Sequence, residues 1–272
     1  MQPNEIIEVK SVDVIQAIDR AEVDVQIATA KKYPRDIANV LNTIKTYGQM
    51  DIETAQDCFY SMKRGDSMVE GVSVRFAEII AGAWGNLRIA TRIIGNDGKT
   101  ITAQGICHDL ETNLAVSVEV KRRITDRNGK TFSEDMQVVT GNAASAIAFR
   151  NAVLKVVPKA ITKKVIDQTK EVALGSVLDI ETRRKNVVEH AKKFGVTAEH
   201  ILFYCNVSNL ESIDNEMLLN LRGAFNAINE GGSTAEELFF APLKEHKKQL
   251  AASKTATTAK EKAEQAMAAS VK

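Results

Sequence analysis

Two short segments of the sequence resemble the end of a phosphate-binding loop. Both contain Gly-Lys-Thr, at residues 98–100 and 129–131. The full motif also requires a glycine five residues before the Gly-Lys pair, where this chain has Ile93 and Ile124, and a helix after it. Asn-Gly and Asp-Gly neighbours instead favour hairpin turns at both places. The sequence therefore predicts neither an ATP-driven motor nor a nucleotide-dependent recombinase.

A second pattern suggests metal chemistry. Asp109 is followed by Glu119-Val120-Lys121, which is similar to the Asp…Glu-x-Lys arrangement of metal-dependent nucleases. In such a site the carboxylates hold Mg²⁺ and the lysine assists the attacking water. Asp109 lies in a predicted turn, however, and Glu119 lies about five residues along the next strand, on the order of 16 Å away. A nuclease stays an alternative that this distance disfavours.

The cysteines do not form a recognisable site. Cys107, His108 and Asp109 are consecutive, and consecutive residues of a strand point to opposite faces. Cys58, Cys107 and Cys205 are odd in number and far apart, which fits neither a disulfide framework nor a CxxC metal pair. We therefore expect reduced thiols in a cytoplasm, and no metal or other cofactor.

The charge of the chain is unevenly distributed. The formal net charge is only +1, and no apolar run is long enough to cross a bilayer. Residues 1–60 contain six Lys or Arg and ten Asp or Glu, a net of −4. Residues 121–170 contain eleven Lys or Arg and four Asp or Glu, a net of +7. This asymmetry predicts a surface that faces a polyanion rather than a membrane.

The basic residues point to contact with a nucleic-acid backbone. Lys and Arg neutralise phosphates and release counterions, which gives affinity that depends on salt and not on sequence. Aromatic residues make up only 5% of the chain, so stacking platforms for bases are not prominent, and Phe76 and Trp84 are expected in the core. The expected DNA-binding residues are Arg75, Arg88, Arg92, Lys121, Arg122, Arg123, Arg127, Lys130, Arg150, Lys155, Lys159, Lys163 and Lys164.

Hydrophobic periodicity predicts the elements that carry these residues. Apolar residues at three- and four-residue spacing predict helices from Val12 to about Arg64, the second of them opened by Pro34 and followed by Gly48. A further helix is predicted from Arg75 to Trp84. Strict alternation then predicts strands over residues 86–94, 100–108 and 114–124, with residues 131–139 as an optional fourth strand. These strands form an antiparallel meander with one apolar and one polar face.

The rest of the chain is predicted to be helical. A helix rich in small residues runs from Gly141 to Val157 and ends at Pro158. In the C-terminal part, Asp214 is expected to cap a helix, and Ser233 to Glu236 match a capping box. The fold class is therefore α+β: a meander packed with helices, followed by a small all-helical domain. The expected divisions are an N-terminal helical region (1–70), a DNA-binding core (71–174), a helical C-terminal domain (175–242) and a flexible tail (243–272).

The order of these elements resembles a known superfamily. Residues 143–158 (AASAIAFRNAVLKVVP) combine small residues, an Arg-Asn pair and a terminal Lys-x-x-Pro. They resemble the helix that follows the sheet in phage single-strand annealing proteins of the RecT and Red-beta superfamily. Residues 72–78 (VSVRFAE) and 105–113 (GICHDLETN) are similar to segments of a phage branch of that superfamily. The resemblance covers roughly residues 70–165 and is one of pattern rather than identity.

The resemblance implies a function that needs neither ATP nor a catalytic residue. Subunits would form a ring or helical filament with their sheets side by side, and single-stranded DNA would be held in a continuous basic groove and annealed to its complement. Residues 180–240 would recruit a partner such as a single-strand binding protein or an exonuclease. The implied phosphate contacts are Arg150, Lys155 and Lys159 from the helix and Lys121 and Arg123 from the sheet.

Other functions stay open at this point. A passive single-strand binding module and a structural or scaffolding phage-type protein are alternatives, in addition to the nuclease. The annealing hypothesis depends on one geometric expectation: the positive side chains of the meander and of the helix that follows it must converge on a single trough.

Overall fold

The computed structural model describes residues 11–65, 67–126, 128–175 and 180–251. The protein has an α+β fold, as the sequence predicts. In chain order, its elements are α1 (Ser11–Lys32), α2 (Ile37–Gly48), α3 (Ile52–Asp57), β1 (Phe59–Arg64), β2 (Ser67–Val72), α4 (Val74–Trp84), β3 (Leu87–Asn96), β4 (Thr100–Asp109), β5 (Leu114–Arg123), α5 (Glu134–Val156), α6 (Lys159–Leu174), α7 (Ile180–Lys192), α8 (Ala198–Cys205), a 3₁₀ turn (Leu210–Ser212), α9 (Asn215–Asn229) and a π-helical turn (Glu236–Phe240). Within these residues, none of the helices has both the length and the apolar character needed to cross a membrane.

The chain divides into two compact units that are not consecutive in sequence. The first unit contains the described residues up to Gly48 together with Val74–Gln168. The second contains Gln49–Ser73 and the described residues from Thr169 onward. This grouping differs from the four consecutive segments expected from the sequence, because residues 49–73 belong with the C-terminal helices.

A three-stranded antiparallel sheet, in the order β3–β4–β5, forms the centre of the described part of the first unit. The predicted meander is thereby confirmed. The turn between β3 and β4 has Gly98 at φ +77°, and the turn between β4 and β5 has Asn113 at φ +59°. Glycine and asparagine are the residues that tolerate this left-handed conformation best. Both turns therefore have the residues that their backbone requires.

The optional fourth strand is wrong. Residues 131–139 contribute only an isolated bridge between Thr131 and Thr125, and α5 begins at Glu134. The Ser133 side chain accepts a hydrogen bond from the Met136 amide, and Glu134 and Asp135 lie in the first turn. A serine cap and two carboxylates at a helix N-terminus stabilise the helix, so α5 starts seven residues earlier than expected.

Helix α5 packs against the apolar face of the sheet. Ile101 and Ala103 of β4 are buried there against Ala144 and Ala148 of α5. The approach is so close that a Cβ atom added to Gly105 would lie 2.3 Å from the Ala148 carbonyl oxygen. The small residues of α5 thus bring its backbone into contact with the sheet. The helix ends before Pro158, as predicted.

Two further helices complete the core of the first unit. Phe76, Ile80 and Trp84 of α4 are buried, which confirms the expectation that Phe76 and Trp84 are core residues. Helix α2 begins at Ile37 rather than at Pro34, because the Asp36 carboxylate accepts a hydrogen bond from the Ala38 amide and starts the helix there.

The second unit contains a β-hairpin that the sequence analysis assigned to helix. Strands β1 and β2 pair antiparallel from Phe59 opposite Val72 to Arg64 opposite Ser67. The hairpin packs on α9, where a Cβ atom added to Gly223 would lie 2.7 Å from the Ser61 amide nitrogen. The expectation of helix as far as Arg64 is therefore wrong for residues 59–64, and the unit that contains residues 180–240 is not entirely helical.

The predicted helix ends of the second unit are partly confirmed. The Asp214 carboxylate accepts a hydrogen bond from the Met217 amide and caps α9. The capping box lies one residue later than expected, since Thr234 and Glu237 exchange the two reciprocal hydrogen bonds. Residues 241–251 are helical, so the part of the expected flexible tail that the structure describes is ordered, and residues 252–272 lie outside the described residues.

Candidate nucleic-acid interface

One side of the three-stranded sheet faces away from α5. Strand alternation places Ile101, Ala103 and Cys107 of β4 toward the core, and these residues are buried. The residues between them, with their cross-strand neighbours, point to the opposite side. We call this side the outer sheet face. It consists of Arg88, Ala90, Arg92, Thr100, Thr102, Gln104, Ile106, His108, Ala115, Ser117, Glu119, Lys121 and Arg123.

The outer sheet face carries four cations and one carboxylate. Arg88 and Arg92 lie on one edge strand, and Lys121 and Arg123 lie on the other. Among the described residues, no ion pair involves any of these four side chains. Arg92 donates a 2.8 Å hydrogen bond to the Gln104 side chain, which is neutral and leaves the positive charge uncompensated. The surface is therefore available to an external anion.

The small side chains of this face allow a polymer backbone to approach the sheet. Ala90 lies between Arg88 and Arg92 on β3, and Ala115 and Ser117 lie on β5; all three are exposed. Lys121 and Arg123 are two residues apart on β5, which corresponds to about 6.6–6.8 Å at the rise of a strand. A pair of positive charges at this spacing along a strand suits neighbouring phosphates of a nucleic acid. Such a surface can bind and orient a polyanion.

The end of the sheet near Arg123 is also basic. The Ile124 amide donates to the Lys99 carbonyl, and the Thr131 hydroxyl donates to the Gly98 carbonyl over 2.9 Å. These bonds hold the β3–β4 turn beside the turn that contains Lys130. Lys99 is a basic residue that the sequence analysis missed. The signal for it was the predicted Asn96–Gly98 turn, since a hairpin there places the next residue at the sheet end.

Asp97 in the same turn is occupied by hydrogen bonds. Its carboxylate accepts from the Thr100 and Lys99 amides and from the Thr100 hydroxyl. These hydrogen bonds, led by that of the Thr100 amide, lower the pKa of Asp97. The negative charge of Asp97 thus stabilises the turn at the basic end of the sheet.

The predicted DNA-binding cations on α5 do not lie on the outer sheet face. Gly141 of α5 is next to Ile101, and Ala148 is next to Gly105. The helix therefore runs away from the sheet end that contains Arg123, and Lys155 lies in its last turn. Because α5 covers the apolar face, the sheet separates the cations of α5 from the outer sheet face. The expected single trough is wrong, and the basic residues form two separate groups.

The helical group is itself partly engaged. Arg150 donates from Nε to the Asn151 side chain and is half-buried. Lys163 forms an ion pair of 2.5 Å with Asp167 on the same helix. Lys155, Lys159 and Lys164 are exposed. These cations lie on α5 and the start of α6, and one of the five, Lys163, is paired with a carboxylate.

Two other predicted residues, Arg75 and Arg122, are not part of the outer sheet face. Arg75 lies on α4 and forms an exposed ion pair of 2.9 Å with Glu78. Arg122 is opposite Ile101 in the register, so it is on the side of the sheet that α5 covers. Arg127 lies outside the described residues.

Asp109 has a structural role that accounts for its position. It is buried and accepts two hydrogen bonds from the Arg35 guanidinium, at 2.5 and 2.8 Å, and one of 3.2 Å from Trp84 Nε1. The Arg35 guanidinium also lies over the Trp84 ring, 4.5 Å from its centre. Burial raises the pKa of Asp109, but the hydrogen bonds from Arg35 and Trp84 outweigh burial and hold this pKa well below its ordinary value.

This geometry disfavours the nuclease alternative. Asp109 points into the core, whereas Glu119 lies opposite Gln104 on the outer sheet face. The two carboxylates are thus on opposite sides of the sheet and cannot share a metal ion. Within the described residues, no group of three or more His, Cys, Asp or Glu side chains could hold a metal.

Comparisons of the chain with models of protein families, with curated proteins and with solved structures find no significant match. The likeness to phage annealing proteins therefore stays a prediction from the sequence. The candidate interface depends on the geometry and charge of the chain's own residues.

Proposed function

We propose that this chain binds single-stranded DNA through the outer sheet face and anneals complementary strands without nucleotide hydrolysis. The observation that carries the proposal is the set of four cations, Arg88, Arg92, Lys121 and Arg123, on the side of the sheet that faces away from α5; the last three are exposed and Arg88 is half-buried. The proposed interface includes Lys99 and Lys130 at the sheet end. No catalytic residue is assigned. Three free cysteines, two of them buried, support the proposal of a reducing cytoplasm.

The chemistry of the face favours contact with phosphates rather than with bases. Apart from Ile106 and Glu119, its side chains are basic, small or polar, and His108 is its only ring among the described residues. Stacking on aromatic side chains is the usual way of holding unpaired bases, and this surface does not provide it. A strand held by its phosphates keeps its bases free to pair. Annealing then follows because base pairing supplies the free energy while the protein screens the repulsion between two phosphate backbones.

The wider proposal includes protein partners. We infer an oligomeric ring or filament that holds single-stranded DNA and the annealed duplex intermediate. Residues 180–240, which contain α7, α8 and α9, are proposed as the contact for a single-strand binding protein or an exonuclease. The oligomer and the partner contact are both proposed from the resemblance to phage annealing proteins.

Charge reversal on the two basic groups tests the interface. We expect Lys121→Glu/Arg123→Glu to weaken binding of a fluorescent oligonucleotide at least about tenfold and to reduce the salt slope by about 1.4, since each phosphate contact contributes about 0.7. The matched control, Lys155→Glu/Lys159→Glu, makes the same change in charge on the helical group and should leave binding within about twofold. Fluorescence anisotropy at several salt concentrations measures both effects.

The opposite outcome would refute the outer sheet face as the interface. If the helical variant loses affinity and the sheet variant does not, the DNA lies on α5 and α6. Circular dichroism of both variants checks that they are folded. Loss of binding counts only in a variant with the helical content of the parent protein.

An annealing assay separates annealing from passive binding. Two complementary oligonucleotides are mixed with the protein in EDTA and without nucleotide, and duplex formation is followed by fluorescence quenching. We expect the protein to accelerate duplex formation and the sheet variant to be slower than the helical variant. Binding without acceleration would instead support a passive single-strand binding module.

A further inference from the structure

Helix α1 has one apolar stripe that packs on its own chain. It spans 22 residues, Ser11–Lys32. Ala30 is buried, and Val23 and Ile27 are half-buried. Their three- and four-residue spacing places them on one side of the helix. Gln26 beside this stripe accepts a 3.4 Å hydrogen bond from Arg88. One side of α1 is thus in contact with the first unit.

A second apolar stripe lies on the opposite side of α1 and is exposed. It contains Ile18, Ala21, Val25 and Ala28. The side chains of Ile18 and Val25 are exposed by 53% and 66%. At 100° per residue, these four positions lie about 175° from the packed stripe. Such large exposed fractions on β-branched residues at regular spacing indicate a surface that another element covers.

The spacing of the exposed stripe identifies the kind of element. Its residues follow each other at intervals of three, four and three, which are the a and d positions of a heptad. The β-branched residues Ile18 and Val25 take position a, and the alanines take position d. Lys32 falls on the next a position. β-Branched residues at a favour two-stranded parallel coiled coils, and a single lysine at a fixes their register.

We propose that α1 pairs with α1 of a second copy of this chain as a parallel two-stranded coiled coil. The flanking charges favour this arrangement. In a parallel pair, Asp24 faces Thr29 of the partner subunit, and Glu22 faces Ala17 of the partner subunit. An antiparallel pair that covers all four apolar residues would instead bring Asp24 next to the partner's Asp24 and Glu22 next to the partner's Glu22.

The pairing is reversible and depends on concentration. The helix is about 33 Å long, but the exposed stripe from Ile18 to Ala28 covers fewer than two heptads and has alanine at both of its d positions, so the buried area is small compared with that of a permanent dimer. The proposed pair stands independently of the proposed function. One consequence does rest on it: a pair holds two outer sheet faces, one for each strand to be annealed.

Sedimentation velocity over a range of protein concentrations, without DNA, tests the pairing. We expect the parent protein to shift from monomer to dimer or larger species as its concentration rises. Ile18→Glu/Val25→Glu should abolish the shift, because four carboxylates would lie in the seam of each pair. The matched control, Gln16→Glu/Arg20→Gln, makes the same change of −2 in charge on exposed positions outside the seam and should retain the shift. A shift that persists in the first variant would overturn the proposal.

Disulfide cross-linking tests the parallel register. Position d residues of a parallel pair face each other, so Ala21→Cys should form a covalent dimer on mild oxidation. Gln16→Cys, on the outside of the coiled coil, should form at least about tenfold less. Equal yields from the two variants would overturn the parallel pair. The seam variant should still bind an oligonucleotide as a monomer, so failure of the pairing and failure of the proposed DNA-binding function are distinguishable.

Discussion

Asp109 belongs to a sequence pattern that resembles the Asp…Glu-x-Lys site of metal-dependent nucleases, but in the structure it has a structural role. The sequence places it near a Glu-x-Lys pair, and only the register of β4 and β5 reveals that the two carboxylates point to opposite sides of the sheet. Its partner Arg35 is 74 residues away in sequence, and no local pattern indicates a contact of this kind. The ion-pair partner of Asp109 therefore could not be predicted from the sequence.

The buried ion pair of Asp109 predicts a specific loss of stability in acid. The pKa of Asp109 in the folded protein is below its ordinary value of 3.8, so the unfolded chain binds more protons in acid than the folded chain. Stability from this group is complete above about pH 5 and decreases as the pH falls through 3.8 and below. Urea unfolding between pH 2 and pH 7, which spans about this range, should therefore show a steep acid limb.

Variants of the pair separate Asp109 from the other carboxylates. Asp109→Asn should be less stable at pH 7 but should have a shallower acid limb than the parent protein. Arg35→Leu should lose about 3–5 kcal/mol, because it leaves a buried carboxylate without its partner. An acid limb as steep in Asp109→Asn as in the parent protein would contradict the assignment.

At the scale of elements, the sequence predicts the three-stranded meander well because its signals are local. Alternation defines each strand, and Asn or Gly occupies the positive-φ positions of the turns. The β1–β2 hairpin was missed because the long helical pattern before it was extended to Arg64, although Gly65, at φ +59°, supplies a turn signal directly after that residue. The start of α5 was missed because the alternation of residues 131–139 was given more weight than the Ser133 cap.

The contact between α5 and β4 predicts a strong effect of a single methyl group. Gly105→Ala places a Cβ atom 2.3 Å from the Ala148 carbonyl oxygen, and that oxygen belongs to the helix backbone and cannot move freely. We expect a loss of about 1–3 kcal/mol or more, as for other overpacked cores. Gly82→Ala in α4 is the matched control, because nothing lies within 4 Å of its added Cβ. It should be neutral or stabilise by up to about 1 kcal/mol.

Urea unfolding followed by circular dichroism compares the two glycine variants. If Gly105→Ala and Gly82→Ala have the same free energy of unfolding, the close contact between α5 and β4 is contradicted. Because both variants add one methyl group, their difference reports the local packing and not the general effect of replacing glycine.

At the scale of the whole molecule, the sequence could not predict how the chain is divided. The segment Gln49–Ser73 belongs to the same unit as the described residues from Thr169 onward. Contacts of this kind depend on shape and not on a local pattern. The same limit applies to the candidate interface: the types of its residues were predicted, but their separation by the sheet follows from where α5 packs.

The second unit is made of two segments that are distant in sequence. We therefore predict that its C-terminal helices do not fold without the hairpin. Asn226 of α9 is buried, and its side-chain amide donates to the carbonyls of Gln56 and Phe59. Without residues 49–73 these donors lose their acceptors, and Gly223 loses the strand that it contacts. A fragment of residues 169–251 should therefore give poorly dispersed NMR spectra and a non-cooperative thermal transition. Joining residues 49–73 to it through a flexible Gly-Ser linker should restore cooperative unfolding. If the fragment unfolds cooperatively by itself, the helices fold without residues 49–73 and the prediction is wrong.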